Sequence, residues 1–263
     1  MKHPDDKVIE SLLTEFKQNY PQAVQTEAFA GQPRDIEHVK MLFADKGSLL
    51  DLGGGTSTTN LVLARLGMRV VVVDIFEQYW DSHFGVGGMA PVRKLFDQEG
   101  VVLVDADILA FDYRKHFGDA RFDVIASFNC FEHLHHSPKP MLDNCLGLLK
   151  PGGRIVFGCP NSVNIYKRIK VLFGKTNHPE FGKFYREGTP WYGHVREYSC
   201  GDWRRLAAFL SLKEPRLRGY NWNLLMNKRF PRALARPIDR MLRFFPSLCT
   251  DLCLIAKLPT APR

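Results

Sequence analysis

The sequence predicts an α/β fold, a doubly wound parallel sheet with helices on both faces. Three observations carry that expectation. From Ser48 onward, short runs rich in Val, Ile and Leu alternate with stretches of helical periodicity, as βαβ units do. The runs end in glycine or aspartate, as in Leu52-Gly53-Gly54-Gly55 and Val73-Asp74. Apolar runs such as Val70–Val73 are far shorter than the ~20 residues a membrane span needs.

The elements follow in order. Residues 1–46 are expected to form a helical extension. Val8, Leu12, Leu13 and Phe16 recur at helical spacing, and Ile36, Val39 and Phe43 continue after a break at Gly31-Gln32-Pro33. Residues 47–263 then form one domain. Ser48–Leu52 reads as the first strand, Thr58–Leu66 as a helix, and Arg69–Asp74 as a β-branched second strand. Val101–Val104, Phe122–Phe128 and Arg154–Gly158 are the third, fourth and fifth strands. A helix over Pro140–Leu149 separates the last two, and Lys150-Pro151-Gly152-Gly153 stops it, because Pro and Gly extend a helix poorly. Residues 160–195, rich in Lys, Arg, aromatics, Gly and Pro, read as a long loop or lid. Asp202–Leu210 looks helical, Leu217–Trp222 supplies a sixth strand and Asp251–Leu258 a seventh.

Composition excludes several classes. With 45% hydrophobic and 24% charged residues, the chain is neither disordered nor fibrous. The start, Met1-Lys2-His3-Pro4-Asp5-Asp6, has no apolar stretch of the secretory kind, so a soluble, cytoplasmic protein is expected. Six cysteines are scattered without a CxxC pair and are expected to be reduced, buried thiols. Charge is uneven. Residues 1–153 carry 15 Lys and Arg against 21 Asp and Glu, whereas residues 154–263 carry 21 against 7. A half with such an excess of cations suits an anionic partner.

In an open parallel sheet, ligands bind beyond the carboxyl ends of the strands. Gly53, Gly54 and Gly55 follow the first strand, where missing Cβ atoms allow a tight turn and close ligand approach. Asp74, ending the second strand, could accept hydrogen bonds from two ribose hydroxyls, and Asp107, after the third, from an adenine amino group. The turn Gly53-Gly54-Gly55-Thr56-Ser57-Thr58 lacks the last glycine of the dinucleotide pattern. Asp51 stands before it, where a carboxylate suits a cationic ligand better than a pyrophosphate.

These segments together resemble class I S-adenosylmethionine-dependent methyltransferases. The resemblance rests on Leu49-Leu50-Asp51-Leu52-Gly53-Gly54-Gly55-Thr56-Ser57, on Asp74, on Asp107-Ile108, on Phe122–Ser127 and on Leu148–Ile155. It covers roughly residues 45–160. Glu132-His133-Leu134 and His194-Val195-Arg196-Glu197-Tyr198-Ser199 are similar to segments of the ubiquinone-pathway O-methyltransferase branch. The resemblance implies a Rossmann-like sheet of seven strands with the last antiparallel. It implies S-adenosylmethionine as cofactor, its sulfonium and ammonium matching the charge logic at Asp51. Asp51, Gly53 and Gly55 would line the methionine portion, Asp74 the ribose, and Asp107 and Ile108 the adenine, with Gly54, Thr56 and Ile75 also in the cofactor site. Phe128 would lie near the cofactor. Ser57 stands where many members have a third glycine.

A hydroxyl acceptor needs a base, and His133, just beyond the fourth strand, has the right ordinary pKa. Some members of this fold hold a metal with a Glu-x-x-Glu-His cluster. Glu132, His133 and His194 are the corresponding candidates here, but Asn129 replaces the first Glu, so no metal is expected. Segments 160–195 and 223–250 are expected to dress the acceptor side. Arg229, Arg232, Arg236, Arg240 and Arg243 form a basic stripe, with Leu234, Ile238, Met241 and Phe245 near another. Pro231, Pro237 and Pro246 are expected to break this region into short helices. The expected acceptor is a small, glycan or lipid-linked molecule, anionic in character, with peripheral membrane contact through 229–245. RNA is the less favoured acceptor, and a catalytically inactive cofactor-binding protein is the non-enzymatic alternative.

Overall fold

The computed structural model describes residues 4–21, 32–77, 88–187, 191–227 and 230–258. Seven strands form one sheet in the order β3-β2-β1-β4-β5-β7-β6. They are β1 (Ser48–Leu52), β2 (Arg69–Asp74), β3 (Val102–Asp105), β4 (Phe122–Phe128), β5 (Leu149–Pro160), β6 (Lys213–Tyr220) and β7 (Asp251–Lys257). β1 pairs in parallel with β2 and β4, and β2 with β3. β7 runs antiparallel to β6 and enters the sheet between β5 and β6. The sheet is doubly wound with its last strand antiparallel, as the resemblance implied.

The chain divides into two compact units. Among the described residues, the first contains those up to Ser127 together with Lys139–Val156. Its helices are α1 (Asp6–Asn19), α2 (Gln32–Leu42), α3 (Thr58–Arg65), α4 (Met89–Gln98), α5 (Tyr113–Phe117) and α6 (Lys139–Cys145). Helix α1 buries Ile9, Leu13 and Phe16, one face of a 3.6-residue repeat, and packs with α2 and α3. All five residues of β1 are buried, as are Val70–Val73 of β2, as expected of strands covered on both faces.

The second unit contains Phe128–Pro138 and Phe157–Pro259. Its helices are α7 (Ile165–Leu172), α8 (Phe181–Glu187), α9 (Cys200–Phe209), α10 (Trp222–Met226) and α11 (Arg232–Leu242). An aromatic nucleus holds it. The Tyr198 and Trp203 rings stack 4.8 Å apart, and Phe131 meets both of them and Phe157 edge-on or tilted.

Several expectations need correction. The loop expected at 160–195 contains α7 and α8. The fifth strand begins at Leu149, not Arg154, and the preceding helix ends at Cys145 in a short 3-10 turn. Gly152, at a left-handed φ of 74°, lets the chain pass through the Pro-Gly-Gly corner within the strand. Helix α11 runs through Pro237 instead of breaking. Pro237 removes one helical N–H on an exposed face, and the helix tolerates the loss. Arg229 lies outside the described residues. All six cysteines are free, five of them buried. Among the described residues no helix is long and apolar enough to cross a membrane.

Candidate functional site

The first unit gathers most of the residues that the sequence singled out for the cofactor. Asp51 lies in β1 and is only 5% exposed. Its Oδ2 accepts from Asn60 Nδ2 at 2.8 Å, while its Oδ1 has no partner. Burial pushes its carboxyl up to about 7, against the Asn60 hydrogen bond, and the nearby Asp74 charge adds to the rise. The glycine turn fits around this carboxylate. A Cβ on Gly54 would stand 2.1 Å from Asp51 Oδ2, so no other residue fits there without displacing it. Gly53 and Gly55 take left-handed φ values of 66° and 53°. Gly55 N–H donates to Asp74 Oδ2 at 2.8 Å, and Ile75 N–H to Asp74 Oδ1 at 2.7 Å.

The loop after β3 is tied to the same corner. Ala106 N–H donates to the Asp74 carbonyl at 3.0 Å. Asp107 is exposed, and its Oδ1 caps Leu109 N–H at 2.9 Å. Ile108 is buried, and its carbonyl accepts from Tyr113 at 3.0 Å. Asp51, the glycine turn and Asp74 are thus directly linked, whereas Asp107 and Ile108 join through the backbone. Two contacts were not read from the sequence. Asn60 holds Asp51 from the first turn of α3, and Tyr20, at the end of α1, donates to the Thr56 carbonyl at 2.6 Å. A polar residue inside an apolar helix was the available signal for Asn60; nothing local signals a bond across 36 residues.

An unpaired, buried carboxylate oxygen is costly to leave unmet. A cationic ligand would meet it, and each Asp74 oxygen, with two lone pairs, can accept a further donor. The residues present therefore fit S-adenosylmethionine.

The second unit holds Phe128 and the acid–base candidates. Phe128 ends β4, half-buried, and packs on β5: a Cβ on Gly158 would lie 2.7 Å from its Cδ1. Residues Phe131–His133 form a 3-10 turn onto which a distant loop is pinned, with Val195 and Arg196 N–H both donating to the Glu132 carbonyl. This brings Glu132, His133 and His194 together, with one ligand-capable atom of each within 4.8 Å of the others. Glu132 is wholly buried and neither carboxylate oxygen has a partner. Burial pushes it up to about 7.

The two histidines are oriented differently. His133 Nδ1 lies 2.7 Å from the Tyr192 carbonyl. A carbonyl can only accept, so Nδ1 carries the proton and Nε2 of the neutral ring keeps its lone pair. Burial lowers the His133 pKa. His194 Nδ1 meets Glu197 Oε1 at 2.8 Å, and that bond holds the His194 pKa up. Glu197 also pairs with Lys167. Neither Glu197 nor Lys167 was assigned a role from sequence, because the pairing depends on segments 30 residues apart meeting in space. Asn129 is exposed at a left-handed φ of 51°.

A family described as "Methyltransferase domain" matches residues 50–157. The demethylmenaquinone methyltransferase of Clavibacter sepedonicus is 31% identical over 183 residues, spanning 64% of this chain and 68% of that protein. The ubiquinone biosynthesis O-methyltransferase of Xylella fastidiosa strain M23 is 30% identical over 138 residues, 51% of each chain. The chain thus spans about half the length of that second relative. Among solved structures, a SAM-dependent methyltransferase from Archaeoglobus fulgidus matches with a TM-score of 0.54 at 16% identity, covering 94% of this chain and 99% of that one; this is a likeness of fold.

Proposed function

Because the chain belongs to the class I S-adenosylmethionine-dependent methyltransferases, we propose that it methylates an oxygen of a small, glycan or lipid-linked acceptor of anionic character. In this reading Asp51, Gly53, Gly54, Gly55 and Thr56 hold the methionine end of the cofactor, Asp74 and Ile75 the ribose, and Asp107 and Ile108 the adenine, with Phe128 nearby. When bound, S-adenosylmethionine supplies a methyl group already activated on a positively charged sulfur. Asp51 offers its unpaired Oδ1 to the cationic end, and the missing side chain at Gly54 leaves room for the carboxylate.

His133 is the base. Its Nε2 takes the proton of the acceptor hydroxyl as the oxygen gains the methyl carbon, and Nδ1–H stays on the Tyr192 carbonyl throughout. The observation that carries this reading is that hydrogen bond, which leaves Nε2 as the ring's free acceptor. The names of the quinone-pathway relatives support a small-molecule acceptor, and the excess of cations after residue 153 supports an anionic one. A lipid-linked acceptor would also suit the exposed aliphatic and aromatic side chains of the second unit.

The test is turnover of methyl-labelled S-adenosylmethionine with fractionated cell extract. Label is expected in the lipid, glycan or small-molecule fraction; label confined to RNA would replace the acceptor class. His133→Gln should lower kcat by about 10²–10⁴-fold and leave S-adenosylhomocysteine affinity unchanged. An unaltered kcat would remove His133 as base. The unpartnered Glu132 carboxylate favours one second reading, a divalent cation held by Glu132, His133 and His194. Turnover lost to EDTA and restored by a divalent cation would establish it; turnover indifferent to EDTA would end it.

A further inference from the structure

Helix α11 presents three faces. Ala235 and Asp239 point inward and are buried. Asp239 anchors that face, accepting from Asn221 Nδ2 at 3.0 Å and pairing with Arg243 at 2.8 Å. Arg243 also lies over the Tyr220 ring, 4.6 Å from its centre. A second face carries Arg236 and Arg240, both exposed. The third face is apolar yet open to solvent. Leu234 is 55% and Met241 58% exposed, and Phe244 and Phe245, just past the helix end, are 78% and 59% exposed.

A stripe of large apolar groups beside cations is the pattern of helices that lie in a lipid–water interface. Helix α7 continues it. None of its residues is buried. Leu172 is 82% exposed, and Phe173 just beyond it is similarly open. Arg168 of α7 donates to the Ser247 carbonyl at 3.2 Å, which ties α7 to the turn directly after Phe244 and Phe245. Both helices are too short to span a bilayer, so such a surface would lie on a membrane, not cross it.

We propose that α11 with Phe244 and Phe245, supported by α7, is a docking surface for an anionic membrane. Charge complementarity selects that occupant. A neutral surface would satisfy the apolar stripe but leave Arg236 and Arg240 without counter-charges, and residues 154–263 carry a net charge of +14. Each arginine near an anionic surface strengthens binding roughly fivefold at low salt. Burying a phenylalanine side chain adds about tenfold or more. The inference goes beyond the reaction proposed above and does not depend on the acceptor.

The test is sedimentation of the full chain with vesicles of phosphatidylglycerol and phosphatidylcholine, against pure phosphatidylcholine, without cofactor. Binding to the anionic vesicles is expected, weakening in high salt as the Debye length shrinks to about 3 Å. Arg236→Glu with Arg240→Glu should lower the partition constant by at least ~25-fold. Met241→Ser with Phe244→Ser and Phe245→Ser should lower it by at least ~10-fold at any salt. Calorimetry with S-adenosylhomocysteine shows each variant to be folded, and it keeps failure here separate from failure of the methyltransfer reading. No binding of the parent chain to anionic vesicles would overturn the proposal, as would equal binding by both variants. Dimerisation lost in the aromatic variant, without vesicle binding, would assign the surface to a second copy instead.

Discussion

At the scale of single residues, Asp51 answers to two opposing demands. As a buried carboxylate with one oxygen unpaired it costs the fold desolvation energy, and as an anion it would draw in a cation. Its raised pKa, about 7 against an ordinary 3.8, sets the sign of both effects. Between those values the folded chain holds a proton that the unfolded chain releases. The stabilising effect of that proton is complete below 3.8 and is lost as pH rises through 7. Asp51→Asn keeps an acceptor for Asn60 and removes the charge. The variant should therefore melt about 2–6 °C above the parent at pH 8, with a smaller difference at pH 5. It should also bind S-adenosylmethionine at least ~10-fold more weakly at pH 8. Parent affinity should fall as pH drops below 7 while the variant's stays flat, which calorimetry at pH 6 and 8 would read. A variant that loses stability at pH 8 would show that Asp51 is structural. His133 gives a second pH signature. Burial lowers its pKa from the ordinary 6.5, which favours the neutral ring that the proposed base needs. The acidic limb of kcat should therefore lie below 6.5, and a limb above it would point to another group, such as His194, whose pKa is raised.

At the scale of elements, α9 shows how a local signal fixes a boundary. Ser199 accepts from Asp202 N–H, and the Asp202 side chain accepts from Ser199 N–H at 2.9 Å, a reciprocal capping box. Loss of such a cap costs about 1 kcal/mol, so Ser199→Ala should lower the melting temperature by about 2–4 °C in a calorimetric scan. Because Tyr198 precedes the cap and stacks on Trp203, the variant should also loosen the 191–198 loop and raise KM for the acceptor more than the cofactor Kd. The helix itself was legible from Asp202 to Leu210, but its first turn was not, since Cys200 and Gly201 carry no periodic apolar signal. β6 was found only in its apolar second half. Its first half, Lys213-Glu214-Pro215-Arg216, is exposed at the edge of the sheet, where charged residues are usual and protect the edge. The interior strands β1 and β2 were legible almost to the residue, because burial on both faces forces an unbroken apolar run. Glu132 and His133 stood out as a local motif, whereas Glu197 and Lys167 did not. Their roles exist only once α7 and the 191–197 loop meet around the His194 ring.

At the scale of the whole molecule, the sequence divides its charge as it divides its tasks. The cofactor candidates, Phe128 the last of them, lie in a half with net charge −6, and most of the basic residues follow residue 153. This unevenness was visible in the composition, but the strands alone would have hidden it, since they carry few charges. Its consequence is kinetic. In the reading proposed above, a cationic cofactor would meet carboxylates at short range, Asp51 among them and buried, where salt screens little; an anionic acceptor would meet exposed cations, where salt screens strongly. Raising ionic strength from about 0.05 to about 0.5 M shortens the Debye length from roughly 14 to roughly 4 Å. KM for an anionic acceptor should then rise several-fold with kcat little changed, and KM for a neutral analogue should stay level. The Kd for S-adenosylhomocysteine should change by less than about twofold over the same range. Steady-state kinetics with a charged and an uncharged acceptor would separate the cases. Equal salt responses for the two acceptors would mean that the basic half does not face the substrate, and the acceptor would then be a neutral molecule recognised by shape and hydrogen bonds.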